Sequence, residues 1–213
     1  MNLQVTEIFT SIQGESTHAG RPCTFVRLTG CNLRCRWCDT TYALEGGESM
    51  PVESVVARVR ATGCDLVEIT GGEPLLQDAV YPLMDALVDE DLTLLVETNG
   101  SVDLARVPDD VIRIMDVKCP SSGMSDRTRG GNLDLLGRRD EVKFVLADRV
   151  DYEWARERLA DDRRFEHVHA VHFTPVFGQL AASDLADWIV ADKLPVRLGL
   201  QLHKVIWGAE TRR

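Results

Sequence analysis

Short apolar stretches alternate along the sequence with segments whose apolar residues recur at helical spacing, and this alternation limits the fold more than any other feature. The apolar stretches are the predicted strands, at residues 3–9, 24–29, 66–70, 92–97, 111–117, 141–146, 170–175 and 195–202. The predicted helices carry apolar stripes at residues 52–59, 76–88, 152–159 and 185–189. Strands that alternate with helices in this way form βα units around a parallel sheet.

The length of the chain decides how such a sheet can close. An eight-fold barrel takes about 250 residues, whereas this chain has 213. We therefore predict an α/β fold of about six βα units, an incomplete (βα)6-type barrel, formed by a single domain over residues 1–213. Residues 120–139 break the rhythm with glycines and arginines, and such a stretch is either disordered or functional, a lid over a site being one alternative.

The composition is that of an ordinary globular protein, and it excludes several classes of function. Hydrophobic residues make up 44% of the chain and charged residues 27%, and the formal net charge is −10. An acidic chain is unsuited to wrapping nucleic-acid phosphates, so we expect no nucleic-acid partner. No apolar run approaches the roughly 18 residues that a membrane span needs, and the first residues lack the pattern of a signal peptide. We expect a cytoplasmic protein without a membrane partner.

Three cysteines, Cys31, Cys35 and Cys38, are spaced CxxxCxxC directly after the predicted strand at residues 24–29. Three thiolates on one loop leave the fourth position of a closed structural zinc site unfilled. They can hold an iron–sulfur cluster, for which soft sulfur ligands are suited, and one iron would then lack a protein ligand. Because an iron with an open position can bind a substrate or a cofactor, this loop is the candidate centre of the chemistry.

The six cysteines could instead indicate a disulfide framework, as in small secreted domains. The chain is too long for that class, has no export signal and crowds three cysteines into eight residues, so metal binding in a reducing compartment is the better interpretation. Cys23, Cys64 and Cys119 lie outside the motif. We predict that each is a small buried or half-buried side chain rather than a ligand.

Ligands of parallel βα folds bind at the carboxyl ends of the strands, where the unusual residues of this sequence collect. These are the cysteine loop, residues 71–74, 97–100, 116–118 and 174–175, and His203. One such segment alone is weak evidence. Residues 71–74, for example, could be a turn before a helix that begins at a proline. The glycines in them also leave backbone exposed for close approach by an amino or carboxylate group. Their convergence predicts one site.

Two features before the cysteines have both an ordinary and a functional interpretation. The turn at Gln13, Gly14 and Glu15 could be a simple connection, or its polar side chains could face a ligand. Arg27 lies inside a predicted strand, where a lone arginine usually faces solvent. If it faces a pocket instead, its planar guanidinium suits a carboxylate or the edge of a heterocycle.

The cysteine motif resembles that of the radical S-adenosylmethionine (SAM) superfamily, and Trp37 directly before the third cysteine also matches. Gly71, Gly72 and Glu73 resemble the superfamily's motif for the methionine amino group. Finer motifs over nearly the whole chain are similar to one family of this superfamily, the 7-carboxy-7-deazaguanine synthases. They are EIF at 7–9, IQGE at 12–15, GRP at 20–22, FVR at 25–27, GCNL at 30–33, CDT at 38–40, TGGEP at 70–74, ETNG at 97–100 and LQLHK at 200–204.

The resemblance implies a partial TIM barrel of the radical SAM type and reductive cleavage of SAM to a 5′-deoxyadenosyl radical. The activity it implies is the ring contraction of 6-carboxy-5,6,7,8-tetrahydropterin to 7-carboxy-7-deazaguanine with loss of ammonia, begun by hydrogen abstraction at the pterin's C6. This carbon–nitrogen lyase step belongs to the biosynthesis of queuosine and related 7-deazapurines. The implied partners are a reductant such as flavodoxin or ferredoxin and a second copy of the chain in a homodimer.

The resemblance also implies roles for individual residues. Cys31, Cys35 and Cys38 would hold a [4Fe-4S] cluster, whose open iron would bind the amino and carboxylate groups of SAM. The residues implied around SAM are Trp37, Cys38, Asp39, Gly72, Asp116, Val117, Lys118, Thr174, Pro175, Val176 and Phe177, of which residues 116–118 and 174–177 match the family more in position than in sequence. Those implied around the pterin are Ile12, Gln13, Gly14, Glu15, Arg27, Thr70 and His203. Thr40 would coordinate Mg²⁺ together with the substrate carboxylate and water.

Two other functions are weighed against this one. An activating enzyme for a glycyl-radical protein would share the cysteine motif, the cofactor and a small barrel, but it needs a macromolecular partner. The polar pair Gln13 and Glu15, together with Arg27, favours a small pterin instead. A non-catalytic zinc or iron–sulfur binding module would leave Arg27, Thr40 and residues 71–74 unexplained.

Overall fold

The computed structural model describes residues 1–208; residues 209–213, a tail to which the sequence assigns no role, lie outside the described part. Its strands are Asn2–Ile12 (β1), Pro22–Leu28 (β2), Glu48–Pro51 (β3), Leu66–Gly71 (β4), Thr93–Thr98 (β5), Ile112–Val117 (β6), Glu141–Leu146 (β7), Ala170–Pro175 (β8) and Arg197–Leu198 (β9). Its α-helices are Val52–Thr62 (α1), Val80–Val88 (α2), Arg149–Asp161 (α3), Ala182–Asp192 (α4) and Leu202–Trp207 (α5).

The strands form one sheet that is parallel over most of its width, as the βα rhythm predicts. Its order is β3-β1-β2-β4-β5-β6-β7-β8-β9. Every pairing from β2 through β9 is parallel, and β1 pairs antiparallel with both β2 and β3. β2 and β4 to β8 are the parallel strands of six or more residues, and they correspond to the six units of the predicted barrel. The predicted fold class is confirmed.

Side chains alternate between two faces of the sheet that differ in character. On β7, Val142, Phe144 and Leu146 are buried in the main core between the sheet and the helices. The alternate residues Glu141 and Lys143 belong to the inner face of the incomplete barrel. A small apolar cluster also lies on this inner face, made of Cys23, Leu66, Leu95, Ile112 and Ile114 with Phe25 packed against it. The inner face therefore combines a limited apolar layer with charged side chains.

The helices form where apolar residues recur three or four positions apart. Val52, Val55, Val56 and Val59 of α1 are all buried in the main core, although β-branched residues are weak helix formers. The helix ends at Gly63, which adopts a left-handed conformation with a φ of 68°. Burial of one apolar face therefore outweighs the low helix propensity of valine.

The predicted strand at residues 195–202 is wrong over most of its length. β9 contains only Arg197 and Leu198, and the chain from Leu202 onward is helix α5. The Gly199 N–H still donates to a carbonyl of β8, but the Leu202 N–H donates to the Gly14 carbonyl at 2.9 Å. The chain thus leaves the sheet and turns towards the connection between β1 and β2, so its apolar alternation does not reflect strand pairing.

The start of α2 and the presence of β3 also differ from the prediction. Leu76 was placed on the first turn of α2, but the helix begins at Val80, and Leu76 is 46% exposed in a preceding 3-10 turn. The short strand β3 was not predicted. It contains one buried residue, Met50, and ends at Pro51, so it lacks the apolar pattern by which a strand is recognised.

Residues 120–139 are a folded connection between β6 and β7. They contain the 3-10 turns Pro120–Ser122, Ser125–Arg127 and Gly130–Leu135. The buried Asn132 fixes this connection, because its Nδ2 donates to the carbonyls of Gly100 and Val102 and its Oδ1 accepts the Leu104 N–H. The alternative that this stretch is disordered is therefore wrong, and a function for it stays a prediction.

The cysteines outside the motif belong to the folded body of the protein, as predicted. Cys23 and Cys119 are buried, Cys64 is half-buried, and all six cysteines are free thiols. Burial raises the pKa of Cys23 and that of Cys119. In the described part of the chain, no helix combines the length and the apolar character that crossing a membrane requires.

Candidate active site

A cavity of about 580 Å³ lies at the carboxyl ends of the parallel strands. Both the cysteine loop and charged side chains of the inner face line it. The predicted site residues that line it are Gln13, Gly14, Glu15, Arg27, Cys31, Cys35, Trp37, Cys38, Asp39, Thr40, Thr70, Gly72, Asp116, Lys118, Val176, Phe177 and His203. One cavity thus joins residues from near the two ends of the sequence.

Four residues of the predicted site do not line this cavity. Val117 is buried in the core between the sheet and the helices. Thr174 is 2% exposed, and Gly199 lies against its side chain. Ile12 and Pro175 are the last residues of β1 and β8, next to residues that do line the cavity. Their binding roles stay predictions.

The cysteine loop follows β2 and is held by the segment after β6. The Arg36 N–H donates to the Ser122 carbonyl at 3.1 Å, and Trp37 Nε1 donates to the Ser121 hydroxyl at 3.1 Å. Ser121 in turn donates both its N–H, at 2.9 Å, and its hydroxyl to the buried carboxylate of Asp151 in α3. A chain of hydrogen bonds therefore connects the loop to a distant helix.

Cys31, Cys35 and Cys38 all line one end of the cavity. Burial raises the pKa of Cys35, and its neighbours Cys38 and Cys31 add to this effect. In the described part of the chain, no three His, Cys, Asp or Glu side chains converge on a point that could hold one ion. In a four-iron cubane, each of the three thiolates would bind a different iron. The Leu33 N–H and the Asn99 side-chain amide also point at Cys31 Sγ, at 3.4 and 3.7 Å, and such donors tune cluster ligands.

The segment after β4 approaches the cysteine loop so closely that a side chain would not fit. A Cβ atom on Gly72 would collide with the Gly30 carbonyl oxygen and would lie 2.7 Å from Cys31 Cβ. Gly71 has a φ of 147°, and a Cβ there would collide with the backbone of Leu28. The two glycines leave a backbone surface beside the thiols, which fits the methionine end of SAM bound at an open iron.

Glu73, the third residue of this motif, connects loops instead of facing the cavity. Its fully buried carboxylate accepts the Leu75 N–H at 3.1 Å, the Asn99 N–H at 2.7 Å and the Thr98 hydroxyl at 2.9 Å. Burial raises the pKa of Glu73 to about 7 despite these donors. The carboxylate therefore ties the end of β4 to the end of β5.

The connection between β1 and β2 crosses the inner face of the sheet and forms part of the cavity floor. Gln13 Nε2 donates to Glu68 of β4, and Gln13 Oε1 accepts the Glu15 N–H. Burial, followed by the charges of Glu97 and Glu15, raises the pKa of Glu68 well above its usual value. A carboxyl that keeps its proton can both donate and accept, so Glu68 supports Gln13 without adding charge.

Lys143 of β7 is the centre of the charged part of this floor. Its Nζ lies 2.6 Å from Glu15 Oε2, contacts Glu97 Oε1 and lies 3.8 Å from Asp116 Oδ2. Although burial opposes both effects, this pairing holds the pKa of Glu15 below its usual value and that of Lys143 well above it. The floor therefore carries ion pairs at neutral pH.

Arg27 lies in the cavity wall. Its position supports the interpretation that it faces a ligand rather than solvent. Its Nε donates to Glu7 Oε1 at 2.8 Å, and the same oxygen accepts the Tyr42 hydroxyl at 2.8 Å. The guanidinium carbon lies 5.9 Å from the ring centre of Phe9 and 5.8 Å from that of Tyr42. With its position fixed, the guanidinium can offer N–H groups to a ligand in the cavity.

Thr40, at the end of the cysteine loop, presents a hydroxyl to the cavity. Its Oγ1 donates to Asp39 Oδ1 at 3.0 Å, and Lys204 Nζ binds Asp39 Oδ2 at 2.5 Å. Although partial burial opposes it, Lys204 lowers the pKa of Asp39 to about 2. Hard oxygens of this kind suit Mg²⁺. Beside Lys204, the imidazole of His203 occupies the space that a Cβ on Gly14 would need.

Glu68 and Lys143 line the cavity but were not predicted as site residues, and Glu97 lies in a converging segment but was given no binding role. A signal for them was present, because each occupies an alternate position in a strand that is otherwise apolar and buried. Lys143, for example, stands between Val142 and Phe144. Charged residues that recur on one face of several such strands predict a polar inner face.

Residues 25–121 match the Radical SAM superfamily. The chain is 49% identical to the 7-carboxy-7-deazaguanine synthase of Koribacter versatilis (strain Ellin345), over 99% of each chain. It is 46% identical to the 7-carboxy-7-deazaguanine synthase of Chlorobaculum tepidum, over 99% of this chain and 96% of that one. Its structure is similar to the crystal structure of QueE from Escherichia coli, with a TM-score of 0.77 and 25% identity over 95% of each chain. Streptococcus suis SuiB bound to S-adenosylmethionine shares the fold, with a TM-score of 0.59 and 14% identity over 86% of this chain and 52% of that one.

Proposed function

Because this chain belongs to the 7-carboxy-7-deazaguanine synthase family of the Radical SAM superfamily, we propose that it converts 6-carboxy-5,6,7,8-tetrahydropterin to 7-carboxy-7-deazaguanine with loss of ammonia. This carbon–nitrogen lyase reaction serves the biosynthesis of queuosine and related 7-deazapurines. The observation that carries the proposal is one cavity of about 580 Å³ in which three thiols face an ion-paired, hydrogen-bonding floor. Such a cavity can hold a reactive cofactor and a small polar heterocycle side by side.

The cluster end of the cavity would be built from the cysteine loop and its neighbours. Cys31, Cys35 and Cys38 would hold the [4Fe-4S] cluster, and the backbone surface at Gly72 would receive the methionine end of SAM. When bound, the cluster and SAM supply the electron and the radical that removes a hydrogen atom from the pterin. The chain's own task is to hold both partners in contact and to exclude water from the reacting carbon.

The wall beside the cluster end carries a charge pair that would contact the rest of SAM. Lys118 Nζ lies 2.7 Å from Asp116 Oδ2 and 5.6 Å from the ring centre of Trp37. The carboxylate can accept hydroxyl hydrogen bonds, and the indole offers an apolar face to a heterocycle. Val176 and Phe177 line the same cavity. These residues would therefore orient the nucleoside part of SAM.

The floor would orient the pterin, whose ring edge carries several N–H groups and a carbonyl. Gln13, Glu15 and Thr70 supply amide, carboxylate and hydroxyl partners, and Arg27 supplies a cationic donor. His203 lies against Gly14 at the side of this floor. Directional groups on both sides of a planar ring fix which carbon faces the cysteine loop.

Five finer parts of the proposal rest on the family and on local chemistry. Thr40 would bind Mg²⁺, which would take the substrate carboxylate and water as further oxygen ligands. A flavodoxin or ferredoxin would supply the electron. The chain would act in the cytoplasm as a homodimer of single-domain subunits.

A glycyl-radical activating enzyme remains the rival with the same cofactor. Its substrate is a protein segment, whose entering backbone would need acceptors along an open groove. The floor of this cavity instead holds Lys143 in contact with both Glu15 and Glu97. That arrangement favours a small molecule with several N–H groups, and it is consistent with relatives that match the whole chain.

An anaerobic turnover assay tests the proposal. Protein with a reconstituted cluster, given reductant, SAM, Mg²⁺ and the carboxytetrahydropterin, should form the deazaguanine product, which mass spectrometry identifies. Formation of 5′-deoxyadenosine without that product would reject the assignment. Iron analysis should give about four irons per chain. Cys31→Ala should lose them, whereas Cys64→Ala, a matched change outside the motif, should retain them.

A further inference from the structure

Lys143 is a buried cation at the point where three walls of the cavity meet. Its side chain is 7% exposed. The carboxylates around it come from three different elements: Glu15 from the connection after β1, Glu97 from β5 and Asp116 from β6. No role in binding or catalysis follows for Lys143 from the cofactors and contacts described so far.

The two carboxylates nearest to Lys143 have both of their oxygens fixed. Glu15 Oε2 is bound by Lys143, and its Oε1 accepts Gln201 Nε2 at 3.0 Å. Glu97 Oε1 is bound by Lys143, and its Oε2 accepts the Thr70 hydroxyl at 3.3 Å. Both residues line the cavity. Because each carboxylate oxygen has further lone-pair directions, the pair can still accept hydrogen bonds from a ligand.

We propose that Lys143 is a positioning residue that holds Glu15 and Glu97 as a pair of acceptors for the N–H groups of the pterin's aminopyrimidinone edge. The 2-amino group and the adjacent ring N–H form a two-donor edge, which a carboxylate accepts as it accepts a guanidinium. The inference rests on the proposed function and specifies which groups would recognise the heterocycle.

The cation is needed because three carboxyl groups share this part of the interior. Glu68 is 3% exposed and lies near Glu15 and Glu97, so the three cannot all be ionised without a positive charge among them. Glu68 keeps its proton, and Lys143 compensates Glu15 and Glu97. The other titratable groups that face Glu15 and Glu97 either have a cation of their own or are neutral. Asp116 contacts Lys118, Asp39 contacts Lys204, and burial lowers the pKa of His203, which leaves that ring neutral.

Replacing Lys143 by Met tests this inference, since Met has a similar length and no charge. In the reconstituted enzyme at pH 7, KM for the pterin should rise by about 30-fold or more, because two partly buried carboxylates lose the cation between them. Without the cation, burial would raise the pKa of Glu15, so the rise in KM should shrink as the pH increases. The wild-type KM should stay level from about pH 6.5 to 8.5, because Lys143 keeps Glu15 ionised throughout.

Two matched variants separate charge from packing. Lys143→Arg keeps the positive charge and should recover most of the affinity and the level pH profile. Lys193→Met removes an exposed lysine at the end of α4 and should behave as wild type. Iron content, and cleavage of SAM in the absence of pterin, should be unchanged in Lys143→Met, because the cluster end of the cavity is left intact.

The outcomes distinguish this inference from the proposed function. A wild type that forms no deazaguanine refutes the function, and the inference with it. An active wild type whose KM is unaffected by Lys143→Met, or is raised by the same factor at every pH, refutes the inference alone. If Lys143→Met does not fold, the wild-type profile decides: a level KM supports the inference, and a KM that rises as the pH falls from about 8.5 to 6.5 overturns it.

Discussion

The absence of a side chain at Gly72 sets how closely the end of β4 can approach the cysteine loop. In Gly72→Ala the new Cβ would meet the Gly30 carbonyl and Cys31 Cβ, so the two loops must separate. We expect overpacking to lower the free energy of unfolding by about 1–3 kcal/mol. Displacement of Cys31 should reduce turnover by about 100-fold. Denaturant unfolding of the apoprotein, iron content and turnover measure these effects.

Gly131→Ala is the control for this change. A Cβ at Gly131 would meet no atom within 4 Å, so this variant should keep its stability, iron content and turnover. If the two alanine variants behave alike, close approach at position 72 is not what assembles the cluster end.

Glu73 should make the stability of the protein depend on pH in a direction opposite to that of most carboxylates. Its pKa is raised from an ordinary value of 4.5 to about 7, since burial penalises the charged form. Its contribution to folding is therefore full below about pH 4.5 and is lost as the pH rises through about 7. Relative to Glu73→Gln, which does not titrate, wild-type stability should fall by about 3 kcal/mol across this range.

Unfolding of both apoproteins by denaturant at several pH values between 5 and 8 measures that difference. Subtraction of the variant removes the contributions of all other titrating groups, provided that the fold is shared. A difference that stays constant with pH would mean that Glu73 is ionised in the folded protein over the whole range.

Single residues were predictable where their spacing alone carries the chemistry. Cys31, Cys35 and Cys38 needed only their separation in sequence, and all three line the cavity. The contacts of Lys143 depend on the register of β7 beside β6. They also depend on a connection more than a hundred positions earlier in the sequence, which supplies Glu15. Such a contact is a property of the folded chain. The alternation of β7 could indicate that Lys143 faces inward, but not that it meets Glu15.

The elements that were predicted well are those in which burial of one or both faces determines the spacing of the apolar residues. β7 lies between two strands and beneath helices, and α1 buries one stripe of valines, so both show their structure in their sequence. The last segment, helix α5, has no such pattern. Helix α5 has six residues, and its position is set by contacts of Leu202 with Gly14 and of Lys204 with Asp39, which no local pattern encodes.

Helix α5 should matter more for activity than for stability. Its Lys204 is 9% exposed and holds Asp39, whose side chain is 46% exposed and can be hydrated when the pair is broken. Lys204→Met should therefore lower the free energy of unfolding by about 1 kcal/mol or less. Without this pair, Asp39 and the neighbouring Thr40 lose their fixed position. If Thr40 binds Mg²⁺ as proposed, the Mg²⁺ concentration at half-maximal rate should then rise by about tenfold.

A Mg²⁺ titration of the initial rate, beside denaturant unfolding, measures the two effects separately. Lys204→Arg retains a cation at this position and should lie between the wild type and Lys204→Met. An unchanged Mg²⁺ requirement in Lys204→Met, with turnover otherwise intact, would show that α5 does not position Thr40.

On the scale of the whole molecule, the connection between β1 and β2 links the two ends of the inner face. Its Thr17 donates its N–H to the fully buried Glu141 at the start of β7, at 3.1 Å, and His172 Nε2 lies 2.6 Å from the same carboxylate. A few residues earlier, Gln13 and Glu15 reach the cavity floor. The polar groups of the cavity floor are thus anchored at the opposite end from the cysteine loop, so the cavity depends on the integrity of the entire sheet.

This dependence predicts that the cysteine loop unfolds together with the core. Trp37 is tied through Ser121 to Asp151 of α3, and the neighbouring Tyr152 packs edge-on against Trp188 of α4. Two variants that retain only Trp37 or only Trp188 report on the two regions by fluorescence during denaturant unfolding of the apoprotein. Both midpoints should coincide with that of far-ultraviolet circular dichroism, as expected for one cooperative domain. If the Trp37 signal is lost at a lower denaturant concentration, the hydrogen bonds through Ser121 do not couple the loop to the sheet. The cluster would then have to order a loop that the fold alone leaves free.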